Sequence, residues 1–140
     1  MTARSSGAFV VVVDASTLVD MLLNRPLAPA LRTRLILSGE VLHAPYMIDL
    51  EVLQALRRFV LARQVTIQRA EEAIEDHLAL RIERYPHDPL LRRAWELRAN
   101  ITAYDAAYVA LAEKLRATFV TLDVRLARAC PPTVRVELFA

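Results

Sequence analysis

The chain has 140 residues, 55% hydrophobic and 24% charged, which is enough apolar material for one well-buried core and excludes a disordered chain. Its two glycines, Gly7 and Gly39, exclude a glycine-rich phosphate loop, and the lone Cys130 excludes an internal disulfide. The formal net charge is only +2, yet Lys114 is the single lysine, so the basic side is almost all arginine, whose planar fork suits phosphate and which a GC-rich genome also supplies.

Residues 1–7 are small and polar and read as a tail on a single domain spanning 1–140. The apolar run 9–13 is the pattern of a strand buried on both faces of a parallel sheet. It stops at Asp14, far short of the roughly 20 apolar residues of a membrane span, and no signal-peptide pattern accompanies it. A cytoplasmic protein without a membrane association is therefore expected. Residues 16–23 carry helical apolar spacing, and a second helix around Leu31 and Leu35 is closed by Gly39. A short strand at 41–43 stops at Pro45. The region 48–63 is a clear amphipathic helix through Val52, Ala55, Leu56, Phe59 and Val60.

Thr66 caps a helix over 66–80, residues 80–85 alternate as a strand, and a helix runs from Leu90 to about Arg98. Thr102 opens a further helix in capping-box style, with Asp105 where Glu or Gln is usual. Residues 119–122 form another buried strand ended by Asp123, followed by a short helix at 126–130 and a last strand at 134–138. Strands alternating with helices predict an α/β fold with a mostly parallel central sheet flanked by helices.

Asp14 and Asp123 each follow a buried strand, and ligands of open α/β sheets sit beyond the carboxyl ends of strands. Asp105, in the first turn of its helix, returns to the same edge. An Asp between strand and helix is often only an N-cap, but three at one edge repel one another unless they share a cation. Mg²⁺ or Mn²⁺, hard ions that take oxygen ligands, suit such a set. His43, His77, His87 and Cys130 lack zinc-ligand spacing, so the histidines take surface or packing roles. One of Tyr104 and Tyr108 faces the core, and the spacing does not say which. Leu91, Trp95 and Leu97 read as core, with a dimer face as the other reading. A phosphoacceptor receiver domain is disfavoured, because its strand-end lysine has no counterpart: Lys114 lies within a helix.

Four segments, Val11-Val12-Val13-Asp14-Ala15-Ser16, Glu51-Val52-Leu53-Gln54-Ala55-Leu56-Arg57-Arg58, the run from Thr102-Ala103-Tyr104-Asp105 to Glu113, and Thr121-Leu122-Asp123-Val124-Arg125-Leu126, together resemble the PIN-domain nucleases. Within that family they are most similar to the VapC-type toxins of bacterial toxin–antitoxin pairs. The resemblance covers nearly the whole chain in order. It implies a three-layer PIN-like sandwich and an acidic quartet, Asp14, Glu51, Asp105 and Asp123, binding Mg²⁺ or Mn²⁺ to hydrolyse RNA phosphodiesters. Glu51 is selected by the resemblance alone, since periodicity does not choose between it and Asp49. The resemblance also suggests orienting hydroxyls at Ser16 and Thr102, each with helix capping as its other reading. It implies a homodimer and a cognate VapB-type antitoxin that occludes the site. Arg57, Arg58, Arg93 and Arg125 are candidate contacts to RNA phosphates, against a plain solvated-surface reading. The rival functions are a PIN-type nuclease that matures RNA without a toxin role, and a non-catalytic PIN domain that binds metal or RNA.

Overall fold

The computed structural model describes residues 10–140; the expected tail at 1–7 and the start of the first apolar run lie outside the described residues. In chain order the elements are β1 (Val11–Val13), α1 (Ala15–Leu22), α2 (Ala28–Arg32), β2 (Leu42–Pro45), α3 (Ile48–Leu61), α4 (Ile67–Ala79), β3 (Ile82–Tyr85), α5 (Leu91–Glu96), α6 (Ala103–Leu115), β4 (Thr118–Thr121), α7 (Val124–Ala129) and β5 (Arg135–Leu138). A π-helical turn, Thr33–Leu37, extends α2, and a 3₁₀ turn, Asp88–Leu90, leads into α5.

The five strands form one sheet in the order β3-β2-β1-β4-β5, and every pairing is parallel. Central β1 explains why: Val11, Val12 and Val13 are each fully buried, as both faces of a covered parallel strand require. Its β-branched side chains suit the pleat, and neither face tolerates a polar residue. Helix α6 lies across β1, β2 and β4 and carries α5 against it, while α1 packs on α3 and α4. The α6 segment from Ala106 to Ala112 is buried at every position, and its four alanines let the helix approach the strands closely. A helix buried nearly all round belongs to a core, not to a surface stripe.

Two expectations change. Strand β4 ends at Thr121, which pairs with Leu138, so Leu122 falls in the turn and Asp123 lies two residues beyond the strand. The cause is local: the Asp123 carboxylate caps α7, and that cap needs an extended residue (φ −88°, ψ 105°) before the first helical turn. The core reading of Leu91 and Trp95 fails, because their exposures are 60% and 67%; only Leu97 packs against the core. Of the two tyrosines, Tyr108 is buried and Tyr104 is exposed.

The histidines pack as expected. His77 is buried, with Nε2 2.7 Å from the Asp49 carboxylate, and His43 Nδ1 lies 2.7 Å from the Tyr85 hydroxyl. His87 Nε2 accepts the Met47 backbone N–H at 3.1 Å.

Candidate active site

Strands β1 and β4 are neighbours in register, Val13 opposite Val120, so the chain leaves the sheet at adjacent points on one edge. The chain leaving β1 goes on to β2 on one side of this pair, and the chain leaving β4 goes on to β5 on the other. That is the reversal in strand order where open α/β sheets form a crevice.

Asp14 follows β1 directly and is 7% exposed. Its Oδ1 accepts the Thr17 backbone N–H at 3.0 Å, capping α1, and also accepts the Thr17 hydroxyl. The Ser16 hydroxyl stands 3.4 Å from the same oxygen, a weak contact, while Oδ2 accepts the Thr121 hydroxyl at 2.7 Å. Burial pushes the Asp14 carboxyl above the usual range, and the donors from Thr17, Thr121 and Ser16 only partly oppose it. Capping and site membership are therefore not competing roles here. One carboxylate does both.

Glu51 and Asp49 share the first turn of α3 and part company there. Asp49 accepts two hydrogen bonds from the Arg84 guanidinium, at 2.8 and 2.9 Å, and contacts His77; Arg84 above all holds its carboxyl below the usual range. Glu51 turns to α6 instead, where its Oε1 accepts the Tyr108 hydroxyl at 2.6 Å. Burial first, then the Glu51 bond, drive the Tyr108 phenol far above its ordinary value, so it remains a donor.

Asp105 is half-buried in the first turn of α6, whose cap is Thr102: the Thr102 hydroxyl accepts the Asp105 N–H at 3.2 Å. Its carboxyl is pushed up by burial and then by the negative charges of Asp14, Asp123 and Glu51. Asp123 is exposed; its Oδ1 accepts the Leu126 N–H at 3.0 Å, and its own N–H donates to the Thr121 hydroxyl at 3.1 Å. Thr121 thus ties the backbone at Asp123 to the carboxylate of Asp14.

All four acids line one cleft of about 490 Å³, together with Ser16, Arg58, Tyr104 and Tyr108. A second cavity of about 390 Å³ begins at Asp105 and Asp123 and is bordered by Thr102 and Arg125. Among the described residues, none of the four carboxylates has a salt bridge. Nor do any three His, Cys, Asp or Glu side chains among them stand ready-made to hold a metal ion. The carboxylates share a cleft without closing into a coordination shell. An all-oxygen donor set with upward-shifted Asp14 and Asp105 nevertheless fits a hard divalent cation, which would relieve the repulsion.

The arginines divide. Arg58 and Arg125 border the acidic cavities. Arg57 is exposed and lines neither, and Arg93 is held by Glu113 at 2.7 and 3.1 Å and by Glu96 at 3.1 Å. Arg93 lines neither acidic cavity, and its guanidinium is engaged by these two carboxylates rather than free for a phosphate. Sequence reasoning missed Thr17, Thr121 and Tyr108. The first is the third residue after a capping Asp, and the second ends a strand beside another Asp. Both were open to inspection as polar residues inside apolar segments.

The PIN domain model matches residues 11–130. The chain is 40% identical over 128 residues to the VapC ribonuclease Mb0985 of Mycobacterium bovis, covering 89% of this chain and 97% of that one. It is 43% identical over 119 residues to ribonuclease VapC1 of Mycobacterium tuberculosis, covering 84% and 89%. A solved structure, VapBC2 from Rickettsia felis bound to a DNA fragment from its promoter, shares the fold. Its TM-score is 0.65 at 14% identity, over 92% of this chain and 98% of that one. The chain belongs to the PIN-domain family and, within it, stands with the VapC ribonucleases.

Proposed function

We propose that this chain is a divalent-metal-dependent endoribonuclease, the toxin of a VapBC-type toxin–antitoxin pair, built as a single domain. The observation that carries the reading is the meeting of Asp14, Glu51, Asp105 and Asp123, from four separate elements, in one cleft without a neutralising cation among the described residues. Relatives at 40–43% identity that carry the name ribonuclease supply the reaction class.

The four carboxylates would hold Mg²⁺ or Mn²⁺, which when bound supplies Lewis acidity to the scissile phosphate and the attacking water. The protein's own groups do the positioning. Thr17 and Thr121 fix both oxygens of Asp14, so this buried carboxylate has one orientation. Thr102 and Ser16 act chiefly at helix starts, Thr102 by holding the backbone that carries Asp105. Arg58 borders the cleft of the four acids and Arg125 the second cavity beginning at Asp105 and Asp123, and both would take phosphates flanking the cut. No general base is required from histidine, and none of the three histidines lines either cavity.

RNA is the substrate in this reading, and a VapB-type antitoxin the partner. A basic antitoxin side chain entering the cleft would match its unneutralised charge. The exposed Leu91 and Trp95 beside an apolar cavity of about 550 Å³ favour a homodimer through this face. No described helix is long and apolar enough to cross a membrane, and a cytoplasmic site of action is part of the proposal. Purified protein should cleave RNA with Mg²⁺ or Mn²⁺ and stop in EDTA, and Asp14→Asn should be inactive. Cleavage that survives either change overturns the reading. Induction of the chain alone in bacteria should arrest growth, and co-expressed antitoxin should restore it.

A further inference from the structure

The four acids are not held alike. Asp14 is clamped by threonine hydroxyls, and the Asp123 carboxylate by a backbone amide. Glu51 has a longer side chain with more rotamers to lose, and a single partner, the Tyr108 hydroxyl. That partner is well anchored. Tyr108 is 1% exposed, lies in the buried middle of α6, and stacks on Phe119 of β4 with ring centroids 6.4 Å apart and planes at 25°. Helix α6 therefore carries Asp105 on its first turn and, one turn later, the group that orients Glu51.

We propose that Tyr108 is a positioning residue of the site: its hydroxyl occupies Glu51 Oε1 and holds the carboxylate in the cleft, leaving Oε2 for the divalent ion. The proposal rests on the metal-nuclease reading above and extends it to a residue that does not touch RNA or its reacting phosphate. A buried tyrosine hydroxyl needs an acceptor in any core, so a purely structural bond is the competing explanation. The two differ in consequence. A hydroxyl that only satisfies the core contributes to stability. One that orients a ligand also changes ion affinity, and only while Glu51 is present.

The test is Tyr108→Phe, which keeps the ring and its stacking on Phe119. Binding of Mn²⁺ alone to the RNA-free protein, followed by calorimetric titration, should weaken about 10-fold, the usual scale for losing a group that orients a metal ligand. RNA cleavage should fall through kcat with KM unchanged. In the Glu51→Gln background the same substitution should leave Mn²⁺ affinity as it is, because the two changes act through one bond. Wild-type Mn²⁺ affinity in Tyr108→Phe overturns the proposal, as does an equal loss with and without Glu51. Wild-type protein that neither binds Mn²⁺ nor cleaves RNA overturns the nuclease reading itself. Ion binding and cleavage that persist in the wild type while Tyr108→Phe matches it overturn only the role of Tyr108.

Discussion

The four acids of the cleft and a set of arginine-paired acids elsewhere on the molecule are the same residue types treated in opposite ways. Glu113 is gripped by Arg93 and Thr133, Asp49 by Arg84 and His77, and Glu137 and Glu40 share Arg34. Arginine partners hold the carboxyls of Glu113 and Asp49 below their usual range. In the cleft, Asp14 and Asp105 are pushed the other way, by burial and, for Asp105, by the other acids. Glu113, Asp49, Glu137 and Glu40 are each given an arginine. In the cleft, Asp14, Glu51 and Asp123 instead accept from hydroxyl or amide donors, which orient them but leave their charge unneutralised.

If that division holds, neutralising a cleft acid abolishes activity without unfolding the protein. Asp105→Asn should lower the RNA cleavage rate by roughly 10²–10³-fold, since a metal site contributes several kcal/mol to transition-state stabilisation. Its thermal midpoint without metal should equal or exceed that of the wild type, because one of four mutually repelling charges is gone. A variant that keeps its activity, or unfolds, would break the comparison on its functional side.

The next largest effect is stabilisation by the ion. Mn²⁺ at about 100 times its dissociation constant should stabilise the wild type by about 2.7 kcal/mol, read as a rise in the melting midpoint. Asp105→Asn should lose most of that rise. Asp49→Ala should do the converse. It strips Arg84 of its carboxylate and leaves the buried His77 without its Nε2 partner, when His77 Nδ1 already has none among the described residues. Urea unfolding should register a loss of about 1–2 kcal/mol, moderated because Asp49 is partly exposed. Ion affinity should change little. A variant that instead loses Mn²⁺ binding at full stability would place Asp49 with the cleft.

The sheet and three of the four acids were legible because the signals are local. A run of valines ending in Asp14 places that residue at a strand end from pattern alone, and Phe119 to Leu122 leading to Asp123 places Asp123 at the same edge, although the strand stops two residues before it. Asp105 follows from its position three residues after Thr102. What separated Glu51 from Asp49 was not local. It depended on Arg84 and Tyr108, 35 and 57 residues away, and no periodicity within α3 carries that information. The roles of Thr17 and Thr121 were hidden for a related reason: the Thr121 hydroxyl reaches Asp14 across 107 residues of chain, through strand pairing. Trp95 was misplaced because large aromatic residues default to the core in sequence reasoning, and composition does not record an exposed apolar face.

The smallest expected effect tests the structural side of the division at its most exposed member. Arg93→Ala removes the main group that lowers the Glu113 carboxyl, with the Thr133 hydroxyl remaining as a lesser partner. A folded-state value below the unfolded one means the pair stabilises the protein above the ordinary glutamate value of 4.5, and loses that contribution as pH falls through the folded-state value. The variant should therefore be less stable than the wild type at neutral pH, and the two should converge once the pH falls below the lowered folded-state value of Glu113. Both side chains are partly exposed, at 37% and 25%, so solvent screening keeps the difference under about 1 kcal/mol. Thermal melts of the pair of proteins between pH 3 and pH 7 would show it. A difference that stays constant across that range would mean that Arg93 supports α5 through packing of its stem on α6, and that charge pairing is not what distinguishes this region from the cleft.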